Sequence, residues 1–274
     1  MTGTLGLNGV LMKRSRGDTH LAELEKEISR FEKKKLYRVT VKNDPKQGQR
    51  IFRFRILRTP PLEWGLIAGD CVHNYRSALD LLATALVRRY GTLTNATSFP
   101  LSVKDENSFK SQWGHKIGKL QRLPEEAKLR ALIRSHQPYV REKAGRTLGF
   151  DYLRVLERLD AIDKHILLLA VGIGGPRTVR VSPPEAKVQL GIETYFSDTM
   201  DKGAVFTIPV YTLDGTPHAE VNVKVEPALE IVFDKAPLTP DEVITFTSIP
   251  LRLGLRTMRR RVTQVIDDVK PYLD

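Results

Sequence analysis

The spacing of apolar residues changes twice along this chain. Leu21, Leu24, Ile28 and Phe31 recur at helical intervals, which predicts a helix over 20–35 capped by Asp18 or Thr19. Its glutamate-rich start and Lys33-Lys34-Lys35 end suit the helix dipole. The period then drops to two. Tyr37, Val39 and Val41 alternate with Arg38, Thr40 and Lys42. After the turn NDPKQG, Phe52, Phe54 and Ile56 alternate with Arg53 and Arg55. This predicts a β-hairpin with one apolar face and one basic ladder, ended by Pro60-Pro61.

Helical spacing returns over 62–89. There Ile67, Cys71, Tyr75, Ala78, Leu79, Leu82 and Leu86 share one face, with Asp70, His73, Arg76, Ser77, Asp80 and Thr84 opposite. Shorter helices are predicted over 107–113 and 125–135. A second long helix over 148–171 carries Val155, Leu156, Leu159, Ile162, Ile166 and Ala170 on its apolar face, and Gly172, Gly174, Gly175 and Pro176 are read as its stop. Strand signals follow over 179–181, 187–194, 204–210, 219–225, 229–233 and 243–246, with turns such as Leu213-Asp214-Gly215-Thr216. A last helix over 253–273 carries Leu255, Met258, Val262, Val265, Ile266 and Val269 as its apolar stripe.

This order is α+β, not alternating α/β. The expected organisation is a helical core (1–177 plus 248–274) bearing an N-terminal β-hairpin. An antiparallel β-sheet is inserted over 178–247, before the C-terminal helix.

Composition narrows the function classes. With 274 residues, 41% of them hydrophobic, the chain has enough apolar content for a sizeable core and is not wholly disordered. No run approaches the roughly 20 apolar residues of a membrane span, so no membrane partner is expected. Cys71 is the only cysteine, which excludes an intrachain disulfide framework and a multi-cysteine zinc site. No pair of histidines sits at i, i+4 with a glutamate, and no glycine-rich loop follows a strand in the manner of a nucleotide site. No metal and no cofactor is therefore expected. Residues 1–12 are partly apolar but lack a preceding basic segment, so they make a poor export signal and the expected compartment is the cytoplasm.

Charge sharpens this. The net charge is +12, from 44 Lys+Arg against 32 Asp+Glu. Residues 13–58 alone hold 15 basic and 6 acidic side chains. A concentrated positive field attracts phosphate polymers at long range. Arg38, Lys42, Arg53 and Arg55 are the candidate phosphate contacts. The structural alternative is an edge hairpin whose charges discourage strand aggregation.

Two helical stripes hold candidate chemistry. His73, Arg76 and Asp80 lie at i, i+3 and i+7, a spacing that suits proton transfer, phosphate binding and orientation respectively. Arg158 and His165 lie two turns apart on a second helix. The structural alternative is a set of groups that hydrogen-bond to each other and to neighbouring backbone, fixing how helices pack.

The run IAGDCVHNYRSALDLL resembles a motif of a broad group of uncharacterised bacterial proteins, which commonly reads GD-x-x-HN-x-RSALDHL. The resemblance extends over the preceding hairpin, Phe99-Pro100-Leu101, Gln137-Pro138-Tyr139 and LDAIDKH. It covers most of 37–171 and loosely the C-terminal helix, and it brings no activity with it. Leu81 stands where the group often has histidine, and Ile166 where it often has arginine. The usual motif places an arginine and a histidine with four residues between them, as in HEPN-type helical ribonucleases. Those enzymes cleave RNA without metal, often across a dimer interface. The similarity implies His165 or His73 as general acid/base, with Arg158 and Arg76 stabilising the phosphorane charge. Arg76 here lacks that histidine, while Arg158 and His165 keep a HEPN-like spacing.

The expectation taken forward is a non-catalytic basic module that binds RNA, DNA or a protein partner, a second copy included. A metal-independent endoribonuclease is the alternative. A small-ligand site between helices and sheet has no specific residue in its favour.

Overall fold

The computed structural model of the chain describes residues 2–44, 49–102, 104–145, 151–165, 171–173, 178–182, 188–190, 205–212, 222–226, 231–233 and 250–274. The protein is α+β. Its helices are α1 (Thr2–Glu32), α2 (Glu63–Tyr90), α3 (Glu106–Lys116), α4 (Glu126–Ser135), α5 (Pro138–Lys143), α6 (Tyr152–His165) and α7 (Leu251–Val269), the last followed by a 3-10 turn at Lys270–Tyr272. Its strands are β1 (Tyr37–Asp44), β2 (Gln49–Ile56), β3 (Val171–Ile173), β4 (Thr178–Ser182), β5 (Val188–Leu190), β6 (Val205–Thr212), β7 (Asn222–Glu226) and β8 (Ile231–Phe233).

The chain divides into two compact units: Met1–Glu25, Gly65–Leu169 and Arg252–Asp274 form one, and Lys26–Trp64 with Ala170–Leu251 form the other. The first is helical. Its core is the α2 face of Cys71, Tyr75, Ala78, Leu79, Leu82 and Leu86, together with Leu153, Val155, Leu156, Leu159 and Ile162 of α6 and the apolar stripe of α7, all buried. Each valine, leucine, isoleucine or methionine among them contributes about 1.5–3 kcal/mol when fully buried. The closing segment Arg252–Asp274 belongs to this unit. Tyr90 Oη donates to the Tyr272 carbonyl at 2.7 Å, and Arg89 donates to the Leu273 carbonyl.

The α2 burial is broader than a single amphipathic stripe. Val72, Asn74, Arg76, Ala83 and Val87 are buried as well, so the side read as polar also faces protein. Arg76 is covered by α6 and the Phe99 segment, and Asn74 by α1 through Lys13 Nζ at 3.5 Å, while α1 also closes on the apolar face. A Cβ at Gly17 would lie 2.6 Å from the Tyr75 ring, and one at Gly6 would lie 3.0 Å from Ala85 Cβ. Glycine at these points lets the two helix backbones come together.

The second unit contains the sheets. One has four strands in the order β1-β2-β6-β5; β3-β8 and β4-β7 form two-stranded sheets. Every pairing is antiparallel. Inside this unit Phe31 packs edge-on against Trp64, and Trp64 Nε1 donates to Glu27 at 2.9 Å.

Four boundaries differ from the sequence reading. The first helix starts at Thr2, not near His20. Asp18 does not cap it: its carboxylate accepts from Tyr75 Oη at 3.1 Å and from Arg259 Nε at 3.0 Å, while Thr19 Oγ1 bonds back to the Ser15 carbonyl. Both are mid-helix uses of residues that otherwise favour caps. The sequence order groups the hairpin with the helical core, yet β2 pairs with β6 over seven residues from Gln49 to Arg55, so the hairpin lies in the sheet unit. The glycine-rich stop is partly strand: Val171, Gly172 and Ile173 pair with Phe233, Val232 and Ile231. Gln137-Pro138-Tyr139 opens the short helix α5, with proline in its first turn where a missing N–H costs nothing. The strand expected over 243–246, the turn at 213–216, and Gly174, Gly175 and Pro176 lie outside the described residues.

Candidate functional site

The polar stripe of α2 meets α6. His73 Nδ1 lies 3.4 Å from Asp160 Oδ1, and Arg76 Nε lies 3.0 Å from Glu157 Oε2. Rising numbers on α2 meet falling numbers on α6, so the two helices run antiparallel along this seam. Arg76 has only 7% of its side chain exposed, and its other nitrogens are also used. Nη1 pairs with Asp80 at 3.1 Å, and Nη2 donates to the Phe99 carbonyl at 3.2 Å. Asp80 completes the loop by accepting from the Phe99 amide at 2.9 Å. Lys116 lies beside these charges. Burial and the nearby Arg76 guanidinium lower its pKa, against the pull of Glu157 and Asp80.

Two glutamine side chains hold the same loop. Gln137 is fully buried; its Oε1 accepts from the Ser102 amide at 2.7 Å, and its Nε2 donates to the carbonyls of Pro100 at 3.1 Å and Ile133 at 3.0 Å. Gln112 Oε1 accepts from the Leu101 amide at 3.0 Å. Phe99-Pro100-Leu101 is thus a buried non-repetitive segment whose backbone groups are satisfied by side chains, as buried peptide groups require.

A second polar cluster joins α5, α6 and α7. Asp151, 1% exposed, accepts from Arg141 Nε at 2.7 Å and pairs with Arg261 Nε at 3.2 Å, while its Oδ1 caps α6 through the Leu153 amide at 2.9 Å. Glu142 accepts from Arg154 Nε at 2.9 Å. His136 Nε2 lies 2.9 Å from Asp268, yet burial and the Arg261 charge outweigh that carboxylate and lower the imidazole pKa. Asp268 is 42% exposed, so water screens its pull.

Of the five residues proposed for chemistry, the structure brings together His73, Arg76 and Asp80 and adds Glu157 and Asp160. Arg158 is half-buried and engaged in an interaction of its own. The His165 side chain lies outside the described ones. His73 is the exposed member, 42% open, with Ser77 Oγ at 3.4 Å from its Nε2. Cys71 is buried, and burial pushes its thiol pKa far up, so it is not a thiolate nucleophile. Among the described residues no group of three metal-ligating side chains exists, and no helix is long and apolar enough to cross a membrane.

The hairpin gives a different picture. Its register sets Arg38 opposite Arg55 and Thr40 opposite Arg53, with Lys42 opposite Ile51. Arg38, Thr40, Lys42, Arg53 and Arg55 are all exposed on one face, while Phe54 and Ile56 of the other face are buried. None of the four cations is ion-paired among the described residues. Like charges directly opposite each other on a sheet are destabilising, so Arg38 and Arg55 repel in the free protein.

No protein-family pattern, no curated protein and no solved structure matches this chain.

Proposed function

We propose that this protein is a non-catalytic nucleic-acid-binding module whose contact surface is the Arg38, Lys42, Arg53, Arg55 ladder. One observation carries this reading. Cations on an edge strand are a common guard against aggregation, which accounts for Arg38 and Lys42 on β1. It does not account for Arg53 and Arg55, because β2 is flanked by β1 and β6 and has no free edge. Two arginines on an interior strand, neither ion-paired among the described residues and one facing a third arginine, form a positive surface that a phosphate chain relieves.

In this reading the α2–α6 seam is structural. The Arg76 guanidinium is held by two carboxylates and a carbonyl, with only 7% of its side chain exposed, an arrangement that suits a cross-link between helices better than contact with a phosphorane. No observation in the described residues favours the endoribonuclease.

The test is retention on an immobilised nucleic-acid column. Wild-type protein is expected to elute earlier as salt rises, and the Arg53→Ala/Arg55→Ala variant to elute well before it. Equal elution of the two proteins discards the ladder as the contact surface.

A further inference from the structure

The same face also bears on which form of nucleic acid it takes. We infer that the ladder reads the phosphate backbone of a double-stranded nucleic acid, without regard to base sequence. This rests on the reading above and goes a step beyond it.

Proteins that hold single strands combine a basic groove with aromatic rings on which successive bases stack. Here the two features are on opposite sides of the hairpin. Tyr37 and Phe54 share the apolar face, their ring centroids 6.1 Å apart, and Phe54 is fully buried. The ladder face offers Arg38, Thr40 and Lys42 from β1 and Arg53 and Arg55 from β2. The β6 positions in register with Arg55 and Arg53 are Val205 and Thr207. Among the described strand positions, aromatic and acidic ones join this face at the hairpin tip, where Tyr211 is in register with Gln49 and Asp44 pairs with Gln49. A ladder of guanidinium and ammonium groups with no row of rings makes phosphate contacts, and phosphate contacts carry no sequence information.

Size and charge density also favour a duplex. From Arg38 to Lys42 the strand advances about 14 Å. A B-form duplex presents about eight phosphates over that length, counting both strands, against about four for one strand. Four cations then predict a salt slope, log K against log salt, of about −3.6 on duplex DNA, which is roughly a 150-fold loss of affinity between 50 and 200 mM salt. Single strands with the same four contacts give a slope of about −2.8.

The experiment is fluorescence-anisotropy titration of the full chain against labelled probes of equal length: two duplex DNAs of unrelated sequence, one duplex RNA, and oligo(dT). The expected result is similar affinity for the two DNA duplexes, weaker binding of oligo(dT) than of any duplex, and the steep slope above. The duplex RNA arm separates the two polymers that share this chemistry; either duplex is allowed to be the tighter, provided both exceed oligo(dT). Arg53→Ala/Arg55→Ala removes two of the four contacts and lowers the duplex slope to about −1.8, whereas Arg53→Lys/Arg55→Lys preserves it. Oligo(dT) bound as tightly as the duplexes, or a tenfold preference between the two DNA sequences, overturns the duplex inference and leaves nucleic-acid binding standing. No binding of any probe at low salt overturns both.

Discussion

Arg76→Met tests the structural role of the α2–α6 seam. Methionine fills much of the arginine volume but removes every donor. The Phe99 carbonyl, on a fully buried residue, loses its partner. An unsatisfied buried acceptor costs about 1–3 kcal/mol. Asp80 and Glu157 lose their shared cation, but each is about a third exposed, at 32% and 35%, so water recovers part of that loss. The sum falls at the low end of the range for a broken buried ion pair, about 3 kcal/mol. With a urea dependence of about 3 kcal/mol per molar, the midpoint should fall by about 1 M, read from the helical circular-dichroism signal. Adding Glu157→Gln removes one stranded carboxylate, so the double variant should be less damaged than the sum of the singles, by about 1 kcal/mol. A single-variant loss under about 1 kcal/mol, or strict additivity, would falsify the claim that this guanidinium is a structural cross-link and would free it for other chemistry.

Further outcomes follow from neighbouring residues. Gly17→Ala should destabilise by about 1–3 kcal/mol, because the new Cβ meets the buried Tyr75 ring at 2.6 Å and helix propensity cannot compensate. Gly114→Ala, inside α3 with nothing within 4 Å of the added carbon, should stabilise by up to about 1 kcal/mol; opposite signs in thermal melts check the pair. Gln137→Ala should cost about 2–4 kcal/mol and accelerate exchange of the Ser102 amide, which loses its buried acceptor. His136 has a folded pKa below its ordinary 6.5. The unfolded chain therefore takes up this proton first as pH falls, and stability is lost from about pH 6.5 downward toward the folded pKa. His136→Gln should flatten the stability profile between pH 7 and 5; an unchanged slope would show that burial does not hold this imidazole neutral.

The long helices and the hairpin register were legible because each rests on local periodicity. Leu255 to Val269 repeats at helical spacing, and 37–42 and 52–56 alternate, so the first stripe is buried as expected and the hairpin keeps Arg38, Lys42, Arg53 and Arg55 on one face. The first twenty residues were not legible as helix. Asp18 and Thr19 look like a cap, and only tertiary partners, Tyr75 and Arg259, reveal the aspartate as a mid-helix anchor. The pairing of β2 with β6 joins residues 150 or more positions apart, a distance at which no local pattern speaks. The polar stripe of α2 was visible, but its acceptors were not. Glu157 and Asp160 sit i, i+3 on α6, a spacing that suits a two-point seam, though any solvent-facing helix shows the same signature. Arg261 and Asp151 were invisible for a simpler reason: a charge beside apolar residues gives no sign of a buried partner on another helix.

Amide hydrogen exchange of the full chain, with and without a bound duplex, separates the binding surface from the internal framework in one measurement. The hairpin residues 37–42 and 53–56 should exchange more slowly in the complex, with α2 and α6 unchanged around His73, Arg76 and Glu157. Slowing centred on that seam, with the hairpin untouched, would contradict the assignment of the ladder to binding and the seam to structure.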